Sequence, residues 1–180
     1  MELLTCTRGE FEVMAEGLAR RLVGWRIYRK EDIFGRIITW LEGSSALQRG
    51  VGDDHSERLI VTFFLTYSEC YCQPQLHFFP ERPLSAQELC TLMGECVCSD
   101  AEEGGSYEAP IISMTFCEEL QMALWGLHQC DTMQLLTAVA SEGVKGNLLE
   151  LFLQAVGQLV GLDEKLLPSC AALATRCPQT

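Results

Sequence analysis

Four β-forming segments follow one another between residues 25 and 79, and a helix-length pattern precedes them rather than separating them. Parallel strands need a long crossover, usually a helix, between each pair, whereas antiparallel strands do not. The order therefore predicts an antiparallel meander. Trp25–Lys30 alternates loosely, and Phe34–Glu42 carries the sheet formers Ile37, Ile38, Thr39 and Trp40. Arg58–Tyr67 holds Ile60, Val61, Phe63, Phe64 and Leu65, and Gln73–Phe79 completes the series. Gly43–Glu57, rich in Gly, Ser and Asp, reads as a surface loop.

Helical patterns flank this block. Over Thr7–Val23 the apolar residues Phe11, Met14, Ala15, Leu18 and Leu22 recur three and four apart, so they share one helix face. Thr7 or Gly9 begins this helix and Gly24 stops it, with acids in the first turn and Arg20 and Arg21 in the last. Ser85 with Glu88 three residues on forms a capping-box pattern for a helix to about Cys96. Ser99–Tyr107 is an acidic loop, and Pro110–Phe116 reads as a short strand. Cys117–Ala123 suits helix and strand equally, and Trp125–Cys130 reads as a turn around Gly126. Asp131 or Thr132 caps a helix to about Ser141. Leu148–Val160 is apolar nearly all round, the mark of a buried helix. The fold class is α+β, with helices on one face of an antiparallel sheet. One domain is expected over residues 1–162, followed by a weakly ordered tail over 163–180.

Charge narrows the function. A formal net charge of −12 argues against a nucleic-acid backbone as partner. Arg20, Arg21, Arg26, Arg29, Lys30 and Arg36 nevertheless cluster, either as a solvated face or as a docking patch for an acidic protein. The apolar runs Leu59–Leu65 and Leu148–Leu153 are too short to span a bilayer. The opening residues lack the basic and apolar regions of a signal peptide, so a cytoplasmic location with free thiols is expected.

Ten cysteines remain to be sorted. The pairs Cys70/Cys72 and Cys96/Cys98 are Cys-x-Cys, and no Cys-x-x-Cys spacing of structural zinc occurs, so neither a metal nor another cofactor is expected. A reactive thiol belongs at a helix N-terminus, where free backbone N–H groups and the dipole favour the thiolate. Cys130 lies immediately before the helix that Asp131 or Thr132 opens, which ranks it first. Asp131 opposes thiolate formation by like charge. His128 lies two positions upstream in the turn, which suits a turn-shaping role better than that of a general base.

Several segments together resemble the autophagy conjugating enzymes, which act in the manner of ubiquitin-conjugating (E2) enzymes. Leu127-His128-Gln129-Cys130 resembles their Leu-His-Pro-Cys motif, with Gln129 in place of the proline. The stretch Tyr67 to Phe78 is similar to the family's strand pair in its Tyr-Ser, Tyr, Pro, Leu and Phe spacings. Arg82-Pro83-Leu84 resembles the opening of the following helix, and Glu108-Ala109-Pro110 the Glu-His-Pro before the active-site strand. Leu153–Leu162 is similar to the closing helix. The distance from Glu108 to Cys130 exceeds the family's, which implies an inserted hairpin or loop around Cys117–Met122.

The resemblance implies an E2-like fold and a transferase that uses a cysteine thioester. It implies that Cys130 accepts autophagy-related protein 12 from the activating enzyme, autophagy-related protein 7, and passes it to a lysine of autophagy-related protein 5. Tyr67 is the implied polar helper for the oxyanion, since Leu127–Cys130 contains no asparagine. The alternatives are the sibling branch of the family, the autophagy-related protein 3 type, which joins a tag to phosphatidylethanolamine, and a non-catalytic adaptor of the same fold. The Phe34–Glu42 and Arg58–Tyr67 hairpin is the expected docking side for the acceptor protein, and the cationic cluster that for the activating enzyme.

Overall fold

The computed structural model describes residues 4–48, 58–85, 88–89, 93, 112–141 and 146–168. Its elements are α1 (Arg8–Arg21), β1 (Arg26–Glu31), β2 (Ile37–Gln48), β3 (Arg58–Ser68), β4 (Gln73–Pro80), β5 (Ile112–Cys117), β6 (Met122–Leu127), α2 (Gln129–Ser141) and α3 (Leu148–Val156). The strands form one antiparallel six-stranded sheet in the order β1-β2-β3-β4-β6-β5. The meander is thus as expected, and the arrangement is that of an E2-like α+β fold.

Alternation on the central strands decides which face carries the core. Leu59, Val61, Phe63, Leu65 and Tyr67 on β3 are all buried, and Leu65 faces Leu76 while Phe63 faces Phe78 across the β3–β4 ladder. The Phe63 and Phe78 rings lie 5.9 Å apart, tilted as aromatic pairs prefer. Phe11, Ala15 and Leu18 of α1, Leu136 of α2 and Leu149, Phe152, Leu153 and Val156 of α3 close over this face in one apolar cluster. Each fully buried Leu or Phe contributes roughly 2 kcal/mol relative to exposure.

The caps explain where helices begin. Thr7 caps α1 through a capping box with Glu10, the first of the two starts expected. Asn147 does the same for α3 with Glu150. Ser85 and Glu88 exchange the same bonds, and Leu89 and Met93 beyond them are buried, as the sequence pattern requires.

Three local expectations are corrected. First, β2 runs on to Gln48 and pairs with β3 through residues expected as loop. Gly43 is there for close approach, not for a turn. A Cβ at Gly43 would lie 2.7 Å from Leu166 Cδ2 and 3.0 Å from Trp25 Cε3. Second, Gly126 sits within strand β6, opposite His77, where a Cβ would crowd the imidazole at 3.1 Å. Third, the helix of the Leu148–Val160 pattern ends at Val156, and a short 3₁₀ turn follows at Gln158–Val160.

The packed chain also continues past residue 162. The Trp25 indole N–H donates to the Leu166 carbonyl at 2.8 Å, Asp163 N–H donates to Ser45 Oγ at 2.7 Å, and Leu166 is fully buried. Residues 169–180 of the expected tail lie outside the described residues, as does the whole acidic loop Ser99–Tyr107 before β5.

Candidate active site

Strand β6 delivers the chain to the start of α2 with only His128 between them. The His128 carbonyl accepts the N–H groups of Asp131 at 3.1 Å and Thr132 at 3.2 Å, and the Thr132 hydroxyl at 3.4 Å. His128 is therefore the N-cap of α2, and it is exposed. The helix begins at Gln129, earlier than the expected Asp131 or Thr132, so Cys130 is its second residue. At that position the backbone N–H groups have no intrahelical acceptor, and the positive end of the helix dipole is closest. A thiolate, or an oxyanion forming on an acyl group, is favoured in such surroundings. Asp131, in the same turn, also suits the dipole.

A row of side-chain amides underlies this turn. Gln129 is buried, and its carbonyl oxygen accepts Gln75 Nε2 at 3.0 Å. Its own Nε2 donates to Gln73 Oε1 at 3.1 Å, and Gln73 Nε2 donates to the Leu4 carbonyl at 2.6 Å. Two residues of β4 thus hold the first helical residue of α2. Within the Gln73–Phe79 strand pattern nothing local singles out Gln73 or Gln75. The signal that marks them is their alternation on one strand beside a buried glutamine.

Tyr67 lies across the β3–β4 ladder from Pro74, between those two glutamines. Its hydroxyl donates to the Cys6 carbonyl at 2.8 Å, and burial pushes its pKa up to about 12. The ring packs 5.7 Å from Phe11 and lies 5.1 Å beneath the Arg8 guanidinium. Cys6 N–H in turn donates to the Cys72 carbonyl at 2.8 Å. Tyr67 and Gln73 therefore secure the same N-terminal segment, one through Cys6 and the other through Leu4. The tyrosine hydroxyl is engaged with that segment rather than with α2.

Strands β5 and β6 form a hairpin over the Cys117–Met122 stretch, and its turn reaches back to the same region. Glu119 accepts the Tyr67 backbone N–H at 3.0 Å and pairs with Arg8 Nη1 at 2.6 Å. Burial raises the Glu119 pKa, and the Tyr67 and Arg8 contacts oppose the rise. Between this turn and the β1–β2 turn lies a groove of about 820 Å³, lined by Asp32, Phe34 and Arg36 on one side and Phe116, Glu118 and Gln121 on the other.

The remaining thiols divide by burial. Cys6 and Cys117 are buried, and burial raises the Cys6 pKa to about 11, so it stays a thiol at neutral pH. Cys70 and Cys72 are exposed, and Cys90, Cys96, Cys98, Cys170 and Cys177 lie outside the described residues. Among the described residues no cluster of His, Cys, Asp and Glu has the makings of a metal site, and no helix is long and apolar enough to cross a membrane. The cationic cluster is largely satisfied within the chain. Arg20 and Arg29 both pair with Glu16, Arg21 with Glu150, and Arg36 with Asp32.

Residues 30–166 match the family model described as autophagocytosis associated protein, active-site domain. The match begins in the last two residues of β1, covers β2 to β6, α2 and α3, and ends at the buried Leu166. No curated protein gives a significant match to the chain.

Proposed function

Because the chain belongs to the autophagocytosis-associated active-site family, the E2-like proteins of autophagy, we propose that Cys130 is its acceptor thiol. We read it as the autophagy-related protein 10 type. The tag is then autophagy-related protein 12, the activating enzyme autophagy-related protein 7 and the acceptor a lysine of autophagy-related protein 5. Membership of the family makes the coarser statement plain: this is a conjugating enzyme of an autophagy ubiquitin-like system. One observation supports Cys130 above the other thiols. It occupies the first turn of α2, directly after β6, inside the matched region.

The reaction runs in two exchanges. The Cys130 thiolate attacks the carbonyl of the tag's C-terminal thioester, and the activating enzyme's cysteine leaves as its thiolate. A lysine amine then attacks the Cys130 thioester, loses a proton and forms an isopeptide bond, and the Cys130 thiolate is released. Both steps pass through a tetrahedral oxyanion, for which helix N–H groups are suitable donors. His128 shapes the turn by supplying the capping carbonyl. Tyr67 serves as support, since its hydroxyl already holds Cys6.

Positioning of two proteins supplies much of such catalysis. The β1–β2 turn exposes Ile33 and Phe34 beside the groove, which supports this side as the docking face for the acceptor protein. The internal pairing of the cationic cluster leaves less to favour it as the site for the activating enzyme. The setting is the cytoplasm, where thiols stay reduced.

Incubation with activating enzyme, ATP and tag tests the reading. An adduct that thiol reductant removes is expected, absent from Cys130→Ala and converted to a reductant-resistant ester in Cys130→Ser. Offering the tags of both family branches together decides between protein and lipid as acceptor. A chain that charges with neither tag is an adaptor, and the proposal fails.

A further inference from the structure

We infer that Gln129 is a positioning residue, clamped by Gln73 and Gln75 so that the first turn of α2 holds Cys130 in place for transfer. The inference rests on the reading of Cys130 as acceptor. The local problem is physical. A helix that begins one residue after a strand has its first turn free to fray, because its leading N–H groups lack intrahelical acceptors. The His128 carbonyl caps this turn, and the next residue adds a restraint from another element. Gln129 turns its side chain inward, is buried, and bonds to β4 through both ends of its amide.

All the bonds in this row point the same way. Gln75 donates to Gln129, Gln129 to Gln73, and Gln73 to the Leu4 carbonyl. Amides aligned in series polarise one another, so each bond gains from its neighbours. A row of this kind fails as a unit. Losing either inner member strands a buried donor or acceptor on the other. Because Cys130 follows Gln129 directly, rotation of that first turn moves the acceptor thiol relative to both incoming proteins. The row also runs into the N-terminal segment, which Tyr67 secures independently through Cys6. The helix end is therefore referenced to the β3–β4 sheet and not merely to its own backbone.

Methionine variants keep volume and remove the amide. Gln129→Met should slow transfer of the tag from Cys130 to the acceptor about tenfold, the worth of roughly one buried hydrogen bond. The apparent KM for the acceptor protein should not change. Gln73→Met should give a similar loss, and the double variant no more than either single one. Gln129→Pro should restore transfer to within about threefold, because proline at the first helical position fixes φ without needing its N–H. In parallel, hydrogen exchange at the amides of Gln129–Thr132 should quicken in Gln129→Met while those of α1 do not.

Independent, multiplying losses from Gln73→Met and Gln129→Met would overturn the clamp. So would wild-type exchange and transfer in Gln129→Met. Should Gln129→Met not fold, Gln75→Met replaces it, removing only the outer bond from a half-buried side chain, and its expected effect is about threefold. Should the wild-type chain never charge, the functional reading fails. Hydrogen exchange still judges the clamp in that case: a selective loss of protection at Gln129–Thr132 supports it, and unchanged protection overturns it.

Discussion

The Arg8 guanidinium and the Glu119 carboxylate meet at 2.6 Å, joining the first residue of α1 to the turn of the β5–β6 hairpin. Arg8 also bonds Glu69 through Nε at 2.7 Å, so one cation holds the β3–β4 turn and the hairpin turn together above the Tyr67 ring. The Glu119 side chain is 8% exposed, and its charge is tolerable only beside that cation and the Tyr67 N–H. Arg8→Met should therefore cost about 3 kcal/mol, the usual penalty for stranding one partner of a buried pair. Adding Glu119→Gln should recover much of it. Urea unfolding of the two variants checks this, and equal stability of Arg8→Met and wild type would refute it.

The strip formed by Gly43, Trp25 and Leu166 gives a second prediction. Gly43→Ala places a methyl 2.7 Å from Leu166 Cδ2 and 3.0 Å from Trp25 Cε3, so it should destabilise by about 2 kcal/mol through overpacking. Ending the chain at Leu162 removes the buried Leu166 and should cost about 3 kcal/mol as a cavity. In the shortened chain Gly43→Ala should be less harmful, because its nearest obstacle is gone. Thermal melts of all four chains measure that coupling. Simple additivity would show that Leu166 is not what Gly43 accommodates.

Those same residues mark what could be read in the sequence and what could not. The β3 and β4 alternation, the Thr7 and Ser85 caps and the α1 stripe act within a few residues, and local patterns reveal such features. Gly43 looked like loop because glycine and serine break periodicity. Its reason lies in Trp25 and Leu166, which no window around it contains. Gly126 read as a turn for the same reason, its partner being His77 across the ladder. The start of α2 was legible to within a few residues, because a helix start is a local signal. The glutamine row beneath it, drawn from β4, α2 and the N-terminal segment, was not. Tyr67 was expected to help the chemistry, but the Cys6 carbonyl that takes its hydroxyl lies far away in sequence.

The α3 cap supplies a third test. Asn147 Oδ1 accepts Glu150 N–H at 3.0 Å, and Glu150 returns a bond to Asn147 N–H at 3.2 Å. Asn147→Ala should cost about 1 kcal/mol. Glu150 also pairs with Arg21, so Glu150→Ala should cost more, loosening both the cap and the link between α1 and α3. Chemical unfolding gives the order. An Asn147→Ala loss equal to or above that of Glu150→Ala would mean that the Arg21 pair contributes nothing.

His77 should make the fold sensitive to mild acid. It is buried in β4, paired with Phe64 of β3 and Gly126 of β6, and among the described residues neither ring nitrogen has a hydrogen-bond partner. Burial pushes its pKa down from 6.5 to about 4. Below about pH 6.5 the unfolded chain takes up a proton that the folded chain refuses until about pH 4. Stability is therefore undiminished by this group above pH 6.5, falls as pH drops through the interval, and levels off below about 4. The full loss is about 3 kcal/mol, from the shift at 1.36 kcal/mol per unit. His77→Leu cannot bind that proton, so its stability should exceed the wild type's by a margin that widens between pH 6.5 and 4. The comparison cancels the carboxylates, which titrate in both chains. Parallel stability curves for the two proteins across that range would show that His77 is protonated, or solvated, in the native state.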